Sequence, residues 1–371
     1  MKKLHLNIGL LLGILALSAC NPRLGTGLSG QRAVEATFST TMPSLVLSTA
    51  TQALIETVTP QPSATLSPTH TPQPTATSTQ EPYAGYRIDD LTTRSYGGGD
   101  LVVEEILAQN SYFTRYLISY PSDGLKICGF MNVPKKGNPP YPVVIGIHGY
   151  IEPEIYNTLD YTTRYADALA RSGYLVIHPN LRGYPPSDSG DNLFRVGMAI
   201  DVLNLIALVK TRSGQPGPLE VANGEEIGVW GHSMGGGIST RVITVNPDVK
   251  AAVLYGAMSG DEKKNYERIF TYFSNGQRGL DELMVPDEVI QQVSPINYLE
   301  RIQAAVSIHH GKNDVDVPLE WSLDLCQRLQ VLGKTVECFT YKDEPHTFNG
   351  AGDDLFTLRM VTFYDKFLKN R

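Results

Sequence analysis

The chain has 371 residues, with 31 lysines and arginines against 38 aspartates and glutamates, and its net charge is −7 at neutral pH. A chain of this length can bury a substantial core. Its mildly acidic balance, without a basic stripe, excludes nucleic acid as an expected partner. The chemistry of a folded domain must therefore carry the function.

Residues 1–20 are typical of a bacterial export signal. Two lysines precede an apolar run from about Ile8 to Leu17, which is too short to span a bilayer. The signal ends in "LSAC", which resembles the lipobox of bacterial lipoproteins and implies cleavage before Cys20 with lipid attached to its thiol. The alternative is a plain secreted protein whose cleavage site happens to end in cysteine.

Residues 21–82 are predicted to be a disordered tether. Their later part, "TVTPQPSATLSPTHTPQPTATSTQEP", is so rich in serine, threonine and proline that it cannot bury a core. Residues 83–371 remain for one large α/β domain. We expect this domain to lie in the bacterial cell envelope, outside the cytoplasm, and to be held off the membrane by the tether.

The domain begins with strand-like stretches and continues with apolar runs that alternate with segments of helix length. The strand-like stretches are Val102 to Ala108, Tyr112 to Tyr120, Leu125 to Val133, "YPVVIGIHG", "YLVIHPN", "EEIGVWG", "VKAAVLYGAM", "AAVSIHHG" and "TVECFTYKD". Such alternation predicts a mostly parallel sheet with helices on both faces, and antiparallel strands at one edge. Ligands of these sheets bind at the carboxyl ends of the strands.

One such strand end carries the sequence "VWGHSMGGGIST", in which Ser233 stands between Gly231 and Gly235. Gly-x-Ser-x-Gly is the pattern of a nucleophile elbow, a strained strand-to-helix turn that leaves no room for side chains two residues away. The pattern alone is weak evidence for a nucleophilic serine, because it often arises by chance in a chain of this length. A nucleophilic serine also needs a base and an acid, which in the α/β-hydrolase order follow it as acid, then histidine.

Seven of the eight histidines are excluded as the base: they lie in the signal or tether, precede the serine, adjoin it, or end the strand before the acid loop. The remaining one is His346, in the loop "KDEPHTFNG". The acid loop "GKNDVDVP" offers Asp314 and Asp316. The oxyanion requires two backbone donors, and we expect them to be the amides of Met234 and Tyr150.

With these parts in place, the region from about Thr114 to Arg371 resembles the catalytic domain of the prolyl-oligopeptidase family and its dienelactone-hydrolase-like relatives. The matching stretches include "SYPSDGLKICGFMNVP", "GVWGHSMGG", "SPINYLERI", "SIHHGKNDVDVPLEWS" and "YKDEPHTF". The resemblance implies an α/β-hydrolase fold with a mostly parallel eight-stranded sheet and helices on both faces. It also implies Ser233 as nucleophile, Asp314 as acid and His346 as base, which leaves Asp316 as a loop cap.

The long segment 261–304 is predicted to form a small helical lid, with a surface helix pair as the alternative. The resemblance implies a serine peptidase that cleaves short peptides or amides without a metal or cofactor. However, the stretch from Tyr83 to Pro140 is too short for the propeller of prolyl oligopeptidases, and "HGYI" replaces the "HGGG" loop of many lipases. A carboxylesterase of small acyl esters is therefore the alternative enzyme, and a non-catalytic cell-surface binding module is the alternative of another class.

Cys326 and Cys338 fall on a predicted helix and on the strand after it. An export compartment permits a disulfide between them, but two buried thiols would show the same pattern. We expect buried thiols.

Overall fold

Nine strands form the one sheet of residues 81–369, the part of the chain that the computed structural model describes. The predicted signal, Cys20 and all but the last two residues of the predicted tether lie outside the described residues. The strands are β1 (Val102–Gln109), β2 (Phe113–Ser122), β3 (Leu125–Pro134), β4 (Tyr141–Ile147), β5 (Leu175–Pro179), β6 (Ala222–His232), β7 (Val249–Tyr255), β8 (Ala305–Gly311) and β9 (Val336–Tyr341).

The strand order is β1-β2-β3-β5-β4-β6-β7-β8-β9. Strands β1, β2 and β3 pair antiparallel, and β3 also pairs antiparallel with β5. From β5 to β9 every neighbouring pair is parallel. The sheet is thus mostly parallel as predicted. The count of eight strands implied by the resemblance is wrong, because all nine strand-like stretches of the sequence join the sheet, with β1 at the edge beside β2.

Helices cover both faces of this sheet, as predicted. They are α1 (Ile88–Thr93), α2 (Thr163–Arg171), α3 (Val196–Arg212), α4 (Met234–Val245), α5 (Glu262–Arg268), α6 (Leu280–Leu283), α7 (Asp287–Val293), α8 (Leu319–Val331) and α9 (Gly350–Tyr364). None of the helices within residues 81–369 has the length and apolar character that crossing a membrane requires.

Two apolar cores hold the helices against the sheet. Neighbouring strand residues point to opposite faces, so Ile145 of β4 belongs to one core and Val144 to the other. The first core buries α3, α4 and α8, and the second buries α2 and α9. The packed layers fix the carboxyl ends of the parallel strands, where the predicted site residues lie.

Cys326 of α8 and Cys338 of β9 form a disulfide, so the expectation of two free thiols is wrong. The two Cα atoms are 6.4 Å apart, which is within the range that a disulfide bridges. The helix and the strand that carry them are joined by a short turn, and the bridge therefore ties α8 to the edge of the sheet.

Candidate active site

Ser233 is the single residue between β6 and α4. Its backbone has φ 55° and ψ −116°, a conformation that residues other than glycine rarely adopt. The surrounding backbone holds it there. Its amide donates to the Tyr255 carbonyl at 2.9 Å, and its carbonyl accepts from the amides of Gly236 and Met258, each at 3.0 Å. The strained turn predicted from the Gly-x-Ser-x-Gly pattern is therefore present.

The glycines of the pattern are needed for close packing around this turn. A Cβ added at Gly231 would lie 2.2 Å from the Gly235 carbonyl oxygen. A Cβ added at Gly235 would lie 2.1 Å from the carbonyl oxygen of Ile147, the last residue of β4. Both distances are far below van der Waals contact, so the turn can form only with glycine at these positions.

His346 and Asp314, the predicted base and acid, meet in the structure. The Nδ1 atom of His346 lies 2.7 Å from Oδ2 of Asp314, whose side chain is completely buried. The other carboxylate oxygen of Asp314 accepts hydrogen bonds from the backbone amides of Asp316 and Val317. Asp314 thus holds the His346 ring with Nδ1 protonated and Nε2 free to accept a proton.

Burial alone would raise the pKa of Asp314, but hydrogen bonds from His310 and His346 and from the Val317 amide outweigh it, and the net pKa lies well below its usual value. Asp314 therefore remains ionised at neutral pH. The expectation that Asp316 caps the loop is wrong: its own amide is capped by Asp314, and Asp316 lines the cavity beside Ser233.

His310 is a further contact of the acid that the sequence reasoning missed. Its Nε2 atom lies 3.1 Å from Oδ2 of Asp314 and 3.0 Å from the Val317 carbonyl oxygen, and its Nδ1 lies 2.7 Å from Oγ of Ser322. A proton on Nε2, with Nδ1 accepting from Ser322, satisfies all three contacts. The only sequence signal was the position of His310 at the end of the strand that precedes the acid loop.

The two predicted oxyanion residues border the same cavity as Ser233. Met234 is the first residue of α4, where backbone amides have no partner within the helix. Tyr150 follows Gly149, which is so close to the nucleophile that an added Cβ would lie 3.1 Å from Ser233 Cβ. The Tyr150 side chain is directed elsewhere, to Glu152 and Arg278.

The cavity has a volume of about 580 Å³ and is lined by Ser233 and His346 together with a mainly apolar wall. Part of this wall comes from the segment predicted as a lid, which contributes Tyr266, Ile269, Phe273, Arg278 and Glu282. Arg278 also bonds the Tyr150 hydroxyl and lies 3.3 Å from Glu152, so the segment contacts the loop that follows β4. The segment therefore forms one side of the cavity.

Only one group of side chains within residues 81–369 has the spacing of a metal site. The donor atoms of Asp314, Asp316 and His346 all lie within 4.8 Å of one another. Two of these three residues are already bonded to each other through the Nδ1–Oδ2 contact. A cation there would have to compete for the carboxylate that holds the His346 ring.

Comparisons with known proteins agree with this fold. Residues 218–371 match the model of the prolyl oligopeptidase family, and residues 142–284 match that of the alpha/beta hydrolase fold. The uncharacterized peptidase YuxL of Bacillus subtilis (strain 168) is 23% identical over 264 residues, which are 67% of this chain and 39% of that protein. The chain thus spans well under half the length of this relative.

Solved structures share the fold. Acetyl xylan esterase 1 from a Thermoanaerobacterium species superposes with a TM-score of 0.55 at 18% identity, over 75% of this chain and 91% of that one. The acylaminoacyl peptidase of Pyrococcus horikoshii also gives 0.55, at 20% identity, over 70% of this chain and 42% of that one. The chain has the α/β-hydrolase fold, and its C-terminal part resembles the prolyl-oligopeptidase family.

Proposed function

We propose that Ser233, His346 and Asp314 are the catalytic triad of this serine hydrolase and that catalysis passes through an acyl-enzyme. The observation that carries the proposal is the buried Asp314–His346 hydrogen bond beside the strained turn of Ser233, with serine and histidine in the wall of one cavity. No hydrogen bond joins Ser233 Oγ to His346 within the described residues. Such bonds often tighten only when substrate is bound.

In this mechanism Ser233 Oγ attacks the substrate carbonyl carbon while its proton passes to Nε2 of His346. The C–O bond forms, the carbonyl oxygen becomes an oxyanion, and the amides of Met234 and Tyr150 stabilise it. Collapse of this intermediate breaks the bond to the leaving group, which takes the proton from His346. Water then releases the acid by the same steps, with His346 as base, and Ser233 is restored.

For the substrate we propose short peptides or other small amides. The match to the prolyl oligopeptidase family model and the naming of YuxL as a peptidase support this choice. The alternative is a carboxylesterase of small acyl esters, supported by the acetyl xylan esterase, of which this chain covers 91%. The triad itself does not separate them, because both reactions use the same acyl-enzyme chemistry.

A substrate panel separates the two chemistries. The full-length protein would be assayed with p-nitrophenyl acetate and butyrate and with proline and alanine p-nitroanilides, beside its Ser233→Ala variant. Peptidase function predicts anilide cleavage that the variant lacks. Ester turnover without anilide turnover would make the protein an esterase. A folded protein without either activity would contradict both and favour the binding module.

We also propose that the mature protein is anchored to the membrane through lipid on Cys20, with the hydrolase domain outside the cytoplasm. The support is the order of basic residues, apolar run and lipobox in residues 1–20. After expression in a bacterium, the wild-type protein should partition into the detergent phase of Triton X-114 and Cys20→Ala into the aqueous phase. The same phase for both proteins would refute the anchor.

A further inference from the structure

Two side chains outside the proposed triad, the half-buried Tyr161 and the buried His232, connect the loops that carry its parts. The hydroxyl of Tyr161 lies 3.1 Å from the amide nitrogen of Gly149, and it also lies 2.5 Å from Nδ1 of His232. On the far side of the same ring, Nε2 of His232 lies 3.0 Å from the carbonyl oxygen of His346. This chain of hydrogen bonds runs from the oxyanion loop to the histidine loop and passes the residue that precedes Ser233.

Only one arrangement of protons satisfies every group in this chain. The Gly149 amide can only donate, so the Tyr161 oxygen accepts from it and the Tyr161 hydroxyl donates to Nδ1 of His232. Nδ1 is then the acceptor of a neutral ring, whose proton is on Nε2, and Nε2 donates to the His346 carbonyl. Burial keeps this pattern in place, since it raises the pKa of Tyr161 and, with repulsion from His346, lowers the pKa of His232.

The packing around these residues leaves little room for another arrangement. A Cβ added at Gly149 would lie 2.6 Å from the Tyr161 hydroxyl oxygen and 3.2 Å from Nδ1 of His232. The rings of His232 and His346 pack against each other with their planes inclined by 39° and their centroids 4.6 Å apart. The His346 ring is therefore held by Asp314 at Nδ1, by the His232 ring beside it, and by the bond to its own backbone carbonyl.

We infer that Tyr161 and His232 are positioning residues, and that their hydrogen bonds set the oxyanion loop and His346 at a fixed distance on either side of Ser233. The inference rests on the proposed function. Neither residue touches the reacting atoms. We call the chain of hydrogen bonds through Tyr161 and His232 the relay. A catalytic group that is displaced by about 1 Å can lose 10²-fold in rate. Because the relay fixes two loops at once, its loss should lower kcat more than it weakens substrate binding.

Tyr161→Phe tests the relay, because it removes one hydroxyl and keeps the ring. We expect kcat for p-nitrophenyl acetate to fall roughly 10- to 100-fold, with KM changed by less than about 3-fold. The rate at which a fluorophosphonate modifies Ser233 should fall in parallel. Circular dichroism and the thermal midpoint Tm report whether the variant is folded.

Tyr156→Phe is the matched control. Tyr156 is a buried tyrosine on the same loop, and its hydroxyl donates to Oδ1 of Asn180 at 3.1 Å without contact to His232 or His346. It should lose a similar amount of Tm and keep kcat within about 2-fold of the wild type. Equal kcat values for Tyr161→Phe and Tyr156→Phe would overturn the relay.

A second pair of variants tests the other half of the chain. His232→Gln can keep an N–H near the position of Nε2, directed at the His346 carbonyl, whereas His232→Leu cannot. We expect the glutamine variant to retain about tenfold more kcat than the leucine variant, the worth of one such hydrogen bond. Equal loss in both would overturn the inference.

The outcomes also distinguish the relay from the function on which it rests. Wild-type turnover that does not depend on Ser233 would refute the proposed function, and the relay with it. Wild-type turnover that depends on Ser233, combined with an unimpaired Tyr161→Phe variant, would refute the relay alone.

Discussion

Ser233→Ala is expected to lower kcat by roughly 10⁴- to 10⁶-fold, because the proposed mechanism forms the acyl-enzyme on the Ser233 hydroxyl. The fold should persist, since the backbone of residue 233 is held by its own hydrogen bonds to Tyr255, Gly236 and Met258. Tm should therefore remain within a few degrees of the wild-type value. The measurement is kcat and KM on the best chromogenic substrate of the panel.

Ser239→Ala is the matched control for this loss. Ser239 lies six residues later on α4, is fully buried, and its hydroxyl makes no hydrogen bond within the described residues. Removing a hydroxyl without a partner should leave both kcat and stability near the wild-type values. If Ser233→Ala retained the activity of Ser239→Ala, Ser233 would not be the nucleophile.

Gly235→Ala should have the largest effect on stability. Its added Cβ would lie 2.1 Å from the Ile147 carbonyl oxygen and 2.6 Å from that of His148, and both acceptors belong to the backbone. Backbone at the end of the central strand β4 cannot move without disturbing the sheet. We expect the free energy of unfolding to fall by about 3 kcal/mol or more, measured by urea denaturation, or the protein to be insoluble.

Gly237→Ala provides the comparison on the same helix. A Cβ there would meet the Met258 Cβ at 3.2 Å, a contact that a small shift relieves. Alanine is also about 1 kcal/mol better than glycine inside a helix, which offsets the crowding. Gly237→Ala should therefore unfold near the wild-type midpoint. A Gly235→Ala protein with the same midpoint as Gly237→Ala would contradict the packing described for the turn.

The sequence was most informative where local pattern and chain order act together. Alternating apolar runs predicted the parallel sheet, and the positions of Ser233, Asp314 and His346 after three of its strands placed them at one edge. The structure brings them together there, with a hydrogen bond between acid and base. Their catalytic roles remain predictions that the experiments above address.

Other features depend on three-dimensional distances that a sequence pattern does not contain. Predicting the disulfide would have required the distance between α8 and β9. Predicting the position of the Asp316 side chain would have required the path of its loop. Tyr161 belongs to no motif, and the sequence pattern showed His232 only as a neighbour of Ser233, so the hydrogen bond between Tyr161 and His232 was not predicted. Such contacts join residues far apart in sequence, so neither periodicity nor spacing could indicate them.

Labelling of the full-length protein with a fluorophosphonate, followed by peptide mass spectrometry, tests the central claim most directly. The reagent forms a stable bond only to a serine whose hydroxyl is activated by a base and whose oxyanion is stabilised. We expect one adduct per chain, on the peptide that contains Ser233, and its loss in His346→Ala. No adduct on the folded protein, or an adduct on another residue, would contradict the assignment of Ser233 as the nucleophile.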